Sequence, residues 1–153
     1  MKLQQKITPF LWFNDNAEEA MNFYVSVFEN SSVISVSKAG DRVMSVTFQL
    51  DGQTFYALNG GPHFTFTEAI SFFVHCETQE EVDRFWDKLS EGGAKSRCGW
   101  LKDKYGLSWQ VIPDTLGKLL SDPDPVKVQR VMQAMLQMSK IEIAGLQKAY
   151  DQQ

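Results

Sequence analysis

The chain has 153 residues, 43% hydrophobic and 12% aromatic, which is material for one packed domain. A formal net charge of −4 with scattered basic residues argues against a nucleic-acid partner. No apolar run approaches the ~20 residues that span a bilayer, so no membrane partner is expected. The polar stretch Met1 to Ile7 lacks the apolar region of a signal peptide, and a cytoplasmic location is the expectation. Cys76 and Cys98 have no C-x-x-C spacing and read as free, packed thiols.

Ile7 to Phe13 is an apolar strand-like run, broken by Asn14-Asp15-Asn16. Ala17, Ala20, Met21, Tyr24, Val27 and Phe28 then recur at the spacing of one helix face. Asn16 is placed as N-cap, with Glu19 completing a capping box. Val33 to Ser37 and Val43 to Leu50 are further strands. Asp51-Gly52 predicts a tight hairpin, because both residues tolerate positive φ, and Gln53 to Asn59 is the returning strand. Gly60-Gly61-Pro62 marks a linker. The pattern then repeats. Ala69 to Cys76 is strand-like, Glu77-Thr78 is a polar break, and Val82, Phe85, Trp86 and Leu89 form a helix face. Glu18-Glu19 falls on Glu80-Glu81 at an offset of 62. Ala94 to Cys98 and Gly99 to Lys102 are weaker strands, and Leu107 to Ile112 is a clearer one. Gly52 to Leu58 matches Gly106 to Ile112 at an offset of 54, so the second copy is eight residues shorter in its middle strands.

The tail matches neither copy. Leu116, Leu119 and Leu120 suggest a short helix. Asp124 as N-cap and Pro125 at the first helical position start another, with Val128, Val131, Met132, Met135 and Met138 along one face. A segment around Ile143, Leu146 and Tyr150 continues it. This stripe is more apolar than a domain with its own two helices needs to bury, which predicts a homodimer that covers it. The organisation expected is a single domain over 1–153. It comprises a repeat unit at 7–59, a linker at 60–68, a second unit at 69–113 and C-terminal helices at 114–150.

Two strand-helix-strand-strand-strand units resemble the vicinal-oxygen-chelate superfamily, also called the glyoxalase, bleomycin-resistance and dioxygenase fold. Several passages closely resemble its PhnB-like, or demethylubiquinone methyltransferase-like, family. They are Ile7 to Phe13, Ala57 to Phe64, Cys76 to Glu81, Cys98 to Asp103, Gly106 to Gln110 and Asp122-Pro123-Asp124-Pro125. The resemblance implies an α+β fold. Its two tandem βαβββ units would form curved mixed sheets around a concave pocket, with a helical C-terminal extension. It also supports the homodimer. In that fold Pro9, Leu11 and Phe13 would look into the pocket, and Phe10 and Trp12 would pack under the helix. Ser45, Thr47, Gln49, Thr54, Tyr56, Leu58, Ser71, Phe73, His75, Ser108, Gln110 and Ile112 would also look inward.

Metal-dependent members of the superfamily carry one ligand on each of four strands. The resemblance puts Pro9, Tyr56, Ser71 and Gln110 at those positions. Proline offers no side-chain donor, and neutral Ser, Tyr and Gln are poor ligands, so no metal and no cofactor are expected. The candidate ligand-binding residues are Tyr56, Ser71, Gln110, Thr47, His75 at a strand end and His63 in the inter-unit loop. Glu18-Glu19 and Glu80-Glu81 sit in first helical turns and answer the helix dipole. The expected function is metal-independent small-molecule binding, with or without catalysis. The alternatives are a methyltransferase, which lacks a Gly-rich nucleotide turn here, a metal-dependent lyase, isomerase or dioxygenase, and a purely sequestering protein.

Overall fold

The protein is described here by a computed structural model covering residues 5–152. In chain order the elements are β1 (Phe10–Phe13), α1 (Ala17–Val27), β2 (Ser32–Ala39), β3 (Arg42–Leu50), β4 (Gln53–Asn59), β5 (Ser71–Cys76) and α2 (Gln79–Ser90). β6 (Ala94–Lys95), β7 (Trp100–Lys102), β8 (Ser108–Pro113), α3 (Asp114–Leu120), α4 (Pro125–Leu136) and α5 (Ile143–Asp151) follow. The strands form two four-stranded sheets, ordered β1-β4-β3-β2 and β5-β8-β7-β6. Each is mixed, since β1 pairs with β4 and β5 with β8 in parallel, and the other neighbours are antiparallel. The fold is therefore α+β, and the chain divides into two compact units, one ending at Thr65 and the other beginning at Phe66. The shortening expected in the second copy falls on its middle strands, where β6 and β7 have two and three residues against eight and nine in β2 and β3.

In the first unit the hairpin at Asp51-Gly52 has φ of 47° and 84°, the left-handed pair that a two-residue connection requires. Its register pairs Phe48 with Phe55 and Val46 with Ala57. These residues are buried and face α1, where Tyr24 stacks on Phe48 and Phe48 on Phe55 at centroid distances of 6.2 and 5.4 Å. The start of α1 is capped differently from the sequence expectation. Asn16 makes no side-chain cap bond. Instead Asn59, at the end of β4, accepts the Ala17 N–H at 2.8 Å and donates to the Val43 carbonyl at 3.1 Å. One amide thus joins helix start, β4 and β3. Asn59→Ala should cost about 1–2 kcal/mol, typical of a lost cap with its partners left unpaired. Urea denaturation would check this, with Asn16→Ala as the control that moves little.

The face assignment of β1 needs correcting. Leu11 and Phe13 are buried, while Phe10 is 57% exposed and Trp12 partly so. Leu11 and Phe13 therefore pack toward the core, and Phe10 and Trp12 lie on the other face. The cause is a single residue. Phe10 pairs with Tyr56 as Phe73 pairs with Gln110, so the first strands are related by an offset of 63. The helices keep the offset of 62. The difference lies in the polar break, Asn14-Asp15-Asn16 in one unit and Glu77-Thr78 in the other. A slip of one residue exchanges the faces of a strand.

In the second unit α2 is capped by Thr78, whose hydroxyl accepts the Glu81 N–H at 3.1 Å. Val82, Phe85, Trp86 and Leu89 of α2 are buried, as are Val74, Cys76, Leu101, Trp109 and Val111 of the sheet. The tail starts α4 as its residues indicate, with the Asp124 carboxylate accepting the Val126 N–H at 2.9 Å before Pro125. α5 is a separate helix rather than a continuation.

The apolar stripe of α4 is largely covered by its own chain, contrary to the sequence reading. Val131 is fully buried in a cluster with Ile112, Leu116, Ile141 and Leu146, and Met135 and Met138 pack against it. Ile112, expected to look into a pocket, is the β8 anchor of this cluster. Only Met132 of the stripe counts among the exposed large hydrophobics, at 38%. The tail is fastened to α2 by Gln79, which donates to the Ile141 carbonyl at 3.0 Å and accepts the Ile143 N–H at 2.7 Å. Lys140 pairs with Asp83 at 2.9 Å beside it.

Candidate ligand-binding faces

Each sheet has one face packed by its helix, which leaves the alternate side chains on the other. In the first unit Thr47, Tyr56 and Phe10 form one row across β3, β4 and β1. Tyr56 is 40% exposed, and the Phe10 ring meets it edge-on at 5.6 Å. The neighbouring row is Ser45, Leu58 and Trp12. The Trp12 indole N–H donates to the Gly61 carbonyl at 3.0 Å, and its ring meets Phe64 at 4.9 Å. A Cβ at Gly60 would lie 2.3 Å from the indole, so glycine there lets the loop close on Trp12. His63 is exposed in the same loop.

In the second unit Ser71 and Gln110 lie on the face opposite α2, and the Gln110 amide donates to the Ser71 hydroxyl at 3.0 Å. Phe73 and His75 continue that face. The His75 side chain is 74% exposed, with Nδ1 3.4 Å from an Asp114 carboxylate oxygen and its ring 4.8 Å from Phe73. The structure thus groups the sequence candidates as Thr47 with Tyr56 and Ser71 with Gln110. His75 stands apart from the latter pair at the strand end, and His63 lies in its loop.

Two further features of the second unit escaped the sequence reading. Asp103 is 2% exposed, and its carboxylate accepts the N–H groups of Tyr105, Leu107 and the Trp109 indole at 2.8, 3.1 and 2.9 Å. It organises the β7–β8 turn and fixes Trp109 under the sheet. The other is a cavity of about 560 Å³ at the short-strand end, lined by Glu68, Lys95, Arg97, Trp100, Lys102 and Ser108 among others. Lys102 lies in one row with Ser108 and Ser71, so strand alternation from Gln110 would have found it had β7 been placed. Its ammonium meets Glu68 at 3.0 Å, and that bond holds the Glu68 carboxyl below the usual range. Cys76 is buried, and desolvation, with Glu81 and Asp114 adding to it, pushes its thiol up to about 12. Such a thiol is no nucleophile at neutral pH.

The four positions at which the superfamily binds metal offer no donor set. Pro9 uses its carbonyl to accept the Tyr56 N–H, and Ser71 and Gln110 bond each other. Among the described residues no group of three or more His, Cys, Asp or Glu side chains lies where it would hold an ion. The residues do not fit a divalent metal.

Two βαβββ runs, each with a helix on one face of a mixed sheet, define the vicinal-oxygen-chelate fold, which is a small-molecule-binding one. Residues 5–112 match the family model described as 3-demethylubiquinone-9 3-methyltransferase, and the chain belongs to this PhnB-like family. The PhnB protein of Bacillus cereus, whose methyltransferase designation is itself provisional, is 42% identical with a TM-score of 0.67, over 71% of this chain and 99% of that one. Protein PA1353 from Pseudomonas aeruginosa is 20% identical with a TM-score of 0.64, over 72% and 98% of the two chains. A glyoxalase/bleomycin resistance protein from Albidiferax ferrireducens T118 is 15% identical with a TM-score of 0.47, over 69% and 95%. Among curated proteins no sequence matches this chain. Among the described residues no helix is long and apolar enough to cross a membrane.

Proposed function

We propose that the protein binds a small, partly apolar organic molecule without a metal ion, through the sheet faces that its helices leave open. The observation that carries this reading is the Gln110–Ser71 pair. It puts a neutral donor-and-acceptor unit where metal-dependent relatives of the fold need charged or imidazole ligands. Tyr56, Phe10 and Thr47 supply an aromatic wall with hydroxyls in the first unit. His63 and His75 are both exposed and have ring nitrogens to offer a ligand. The test is identification of small molecules released from the purified protein, followed by titration of the one recovered. Gln110→Ala should weaken its binding by about 1–2 kcal/mol, the usual cost of removing one hydrogen-bond partner, with folding stability unchanged. Affinity that disappears with metal chelation and returns with zinc or manganese would sink the reading.

A methyltransferase is the second reading, and its support is the family description alone. A thermal shift with S-adenosylmethionine would favour it. The assembly we propose is a homodimer. With Val131 covered by its own chain, that proposal rests on the family resemblance, and sedimentation at micromolar concentration decides it.

A further inference from the structure

The Ser108 side chain is the anomaly of the second unit. It has 0% exposure, and its hydroxyl has no hydrogen-bond partner among the described residues. A buried hydroxyl without a partner costs about 1–3 kcal/mol. Its neighbours in the row do not relieve it. The Ser71 hydroxyl is occupied by Gln110, and Lys102 carries only donors.

Ser108 lines the cavity of about 560 Å³, a volume in the range of small-molecule sites. Lys95, Arg97 and Lys102 bring three positive charges to that cavity and Glu68 one negative, in a chain whose net charge is −4. Arg97 is held in place by donation to the Leu136 carbonyl at 2.9 Å, at the end of α4. A water molecule would answer the hydroxyl but not the excess of positive charge. An oxyanion answers both, since it accepts from Ser108 and neutralises Lys102. The bond from Glu68 to Lys102 shows what kind of group the ammonium takes. Glu68 lies just before β5 with its side chain 63% exposed, so its carboxylate leaves without disturbing the fold.

We infer that this cavity takes the oxyanion group of a small-molecule ligand, with Ser108 donating a hydrogen bond, Lys102 as counter-charge and the Glu68 carboxylate as the internal group it displaces. The inference rests on the small-molecule-binding reading above and narrows the ligand to an anionic one.

The probe is inorganic phosphate, titrated into the ¹⁵N-labelled full chain against sodium chloride of equal ionic strength. Saturable shifts should appear at the amides of Ser108 and Lys102 with phosphate and not with chloride. Ser108→Ala should weaken phosphate binding about five- to tenfold, the worth of one charge-assisted hydrogen bond, and its Tm should stay equal or rise. Glu68→Gln should tighten binding about threefold or more, because the competing carboxylate is gone. Ser108 and Glu68 as ordinary structural residues would give the opposite signs, a lowered Tm and unchanged or weaker binding. Phosphate shifts that match chloride, or a Glu68→Gln variant that binds no better, overturn the inference. If phosphate fails while a neutral ligand recovered from the protein still depends on Gln110, only the anionic assignment falls. If no small molecule of either kind binds, the broader reading falls with it.

Discussion

Asp103→Ala should destabilise the protein by about 3–5 kcal/mol, as expected when several buried donors lose a shared ionic acceptor. The carboxylate is almost wholly buried and accepts three N–H groups, two from the β7–β8 turn and one from the Trp109 indole. Alanine leaves all three donors facing protein. The backbone adds two bonds at the same turn, Asp103 N–H to the Leu107 carbonyl and Gly106 N–H to the Asp103 carbonyl, at 2.9 Å each. These keep the turn from collapsing to heal the loss. Asp103→Asn separates the parts. Its amide oxygen still serves two backbone donors, but its NH₂ then meets the indole N–H, and two donors oppose each other. Roughly half the alanine effect is expected for it, reduced further in the Trp109→Phe background, where the opposing donor is absent. Urea denaturation of the four proteins gives the cycle. A cost below about 1 kcal/mol for Asp103→Ala, within the range of surface substitutions, would show that the carboxylate is dispensable.

Asp103 also marks where reading the chain stopped short. An acidic residue before Tyr105-Gly106 looks like a solvated turn residue. Its burial depends on Trp109 folding back over it six positions later, which no local pattern encodes. What was legible rests on period and turn chemistry. The helix faces, the Asp51-Gly52 hairpin, the Asp124-Pro125 helix start and the repeat itself come from residues whose local preferences agree with the fold. In the second unit alternation alone put Ser71 and Gln110 on one face. In the first unit it failed for β1, because a one-residue difference in a polar break is invisible until pairing with β4 is known. The α1 cap was misplaced for a similar reason, since Asn59 lies 42 residues from the N–H it receives. The α4 stripe was misjudged because Ile112 and α5 cover it from elsewhere in the chain.

Gly99→Ala should cost about 3–4 kcal/mol, from two separate sources. The backbone at Gly99 has φ of +85°, directly after Cys98 at +59°. A side chain in that conformation alone costs on the order of 1–2 kcal/mol. The added Cβ would also lie 2.6 Å from Ile112 Cδ1, 2.9 Å from the Val111 carbonyl oxygen and 3.2 Å from Ile141 Cγ1. Ile112 has a side chain that can rotate, but the Val111 carbonyl belongs to a strand whose N–H is bonded to the Gly99 carbonyl at 2.8 Å. Gly106 is the control. Its φ is +87°, and a Cβ there meets nothing within 4 Å, so Gly106→Ala isolates the conformational cost. The excess of Gly99→Ala over Gly106→Ala should be about 2 kcal/mol, the usual cost of one overpacked methyl. The damage should also spread in a definite direction. Cys98 and Gly99 donate to the carbonyls of Met138 and Ser139 at 2.8 Å each, which ties this loop to the segment between α4 and α5. Hydrogen exchange in Gly99→Ala should therefore quicken first around Ile141 and Leu146, with Phe48 and Phe55 of the first unit unchanged. Equal losses for the two glycine variants, or uniform exchange across the chain, would show that the close packing at Gly99 does not hold the tail.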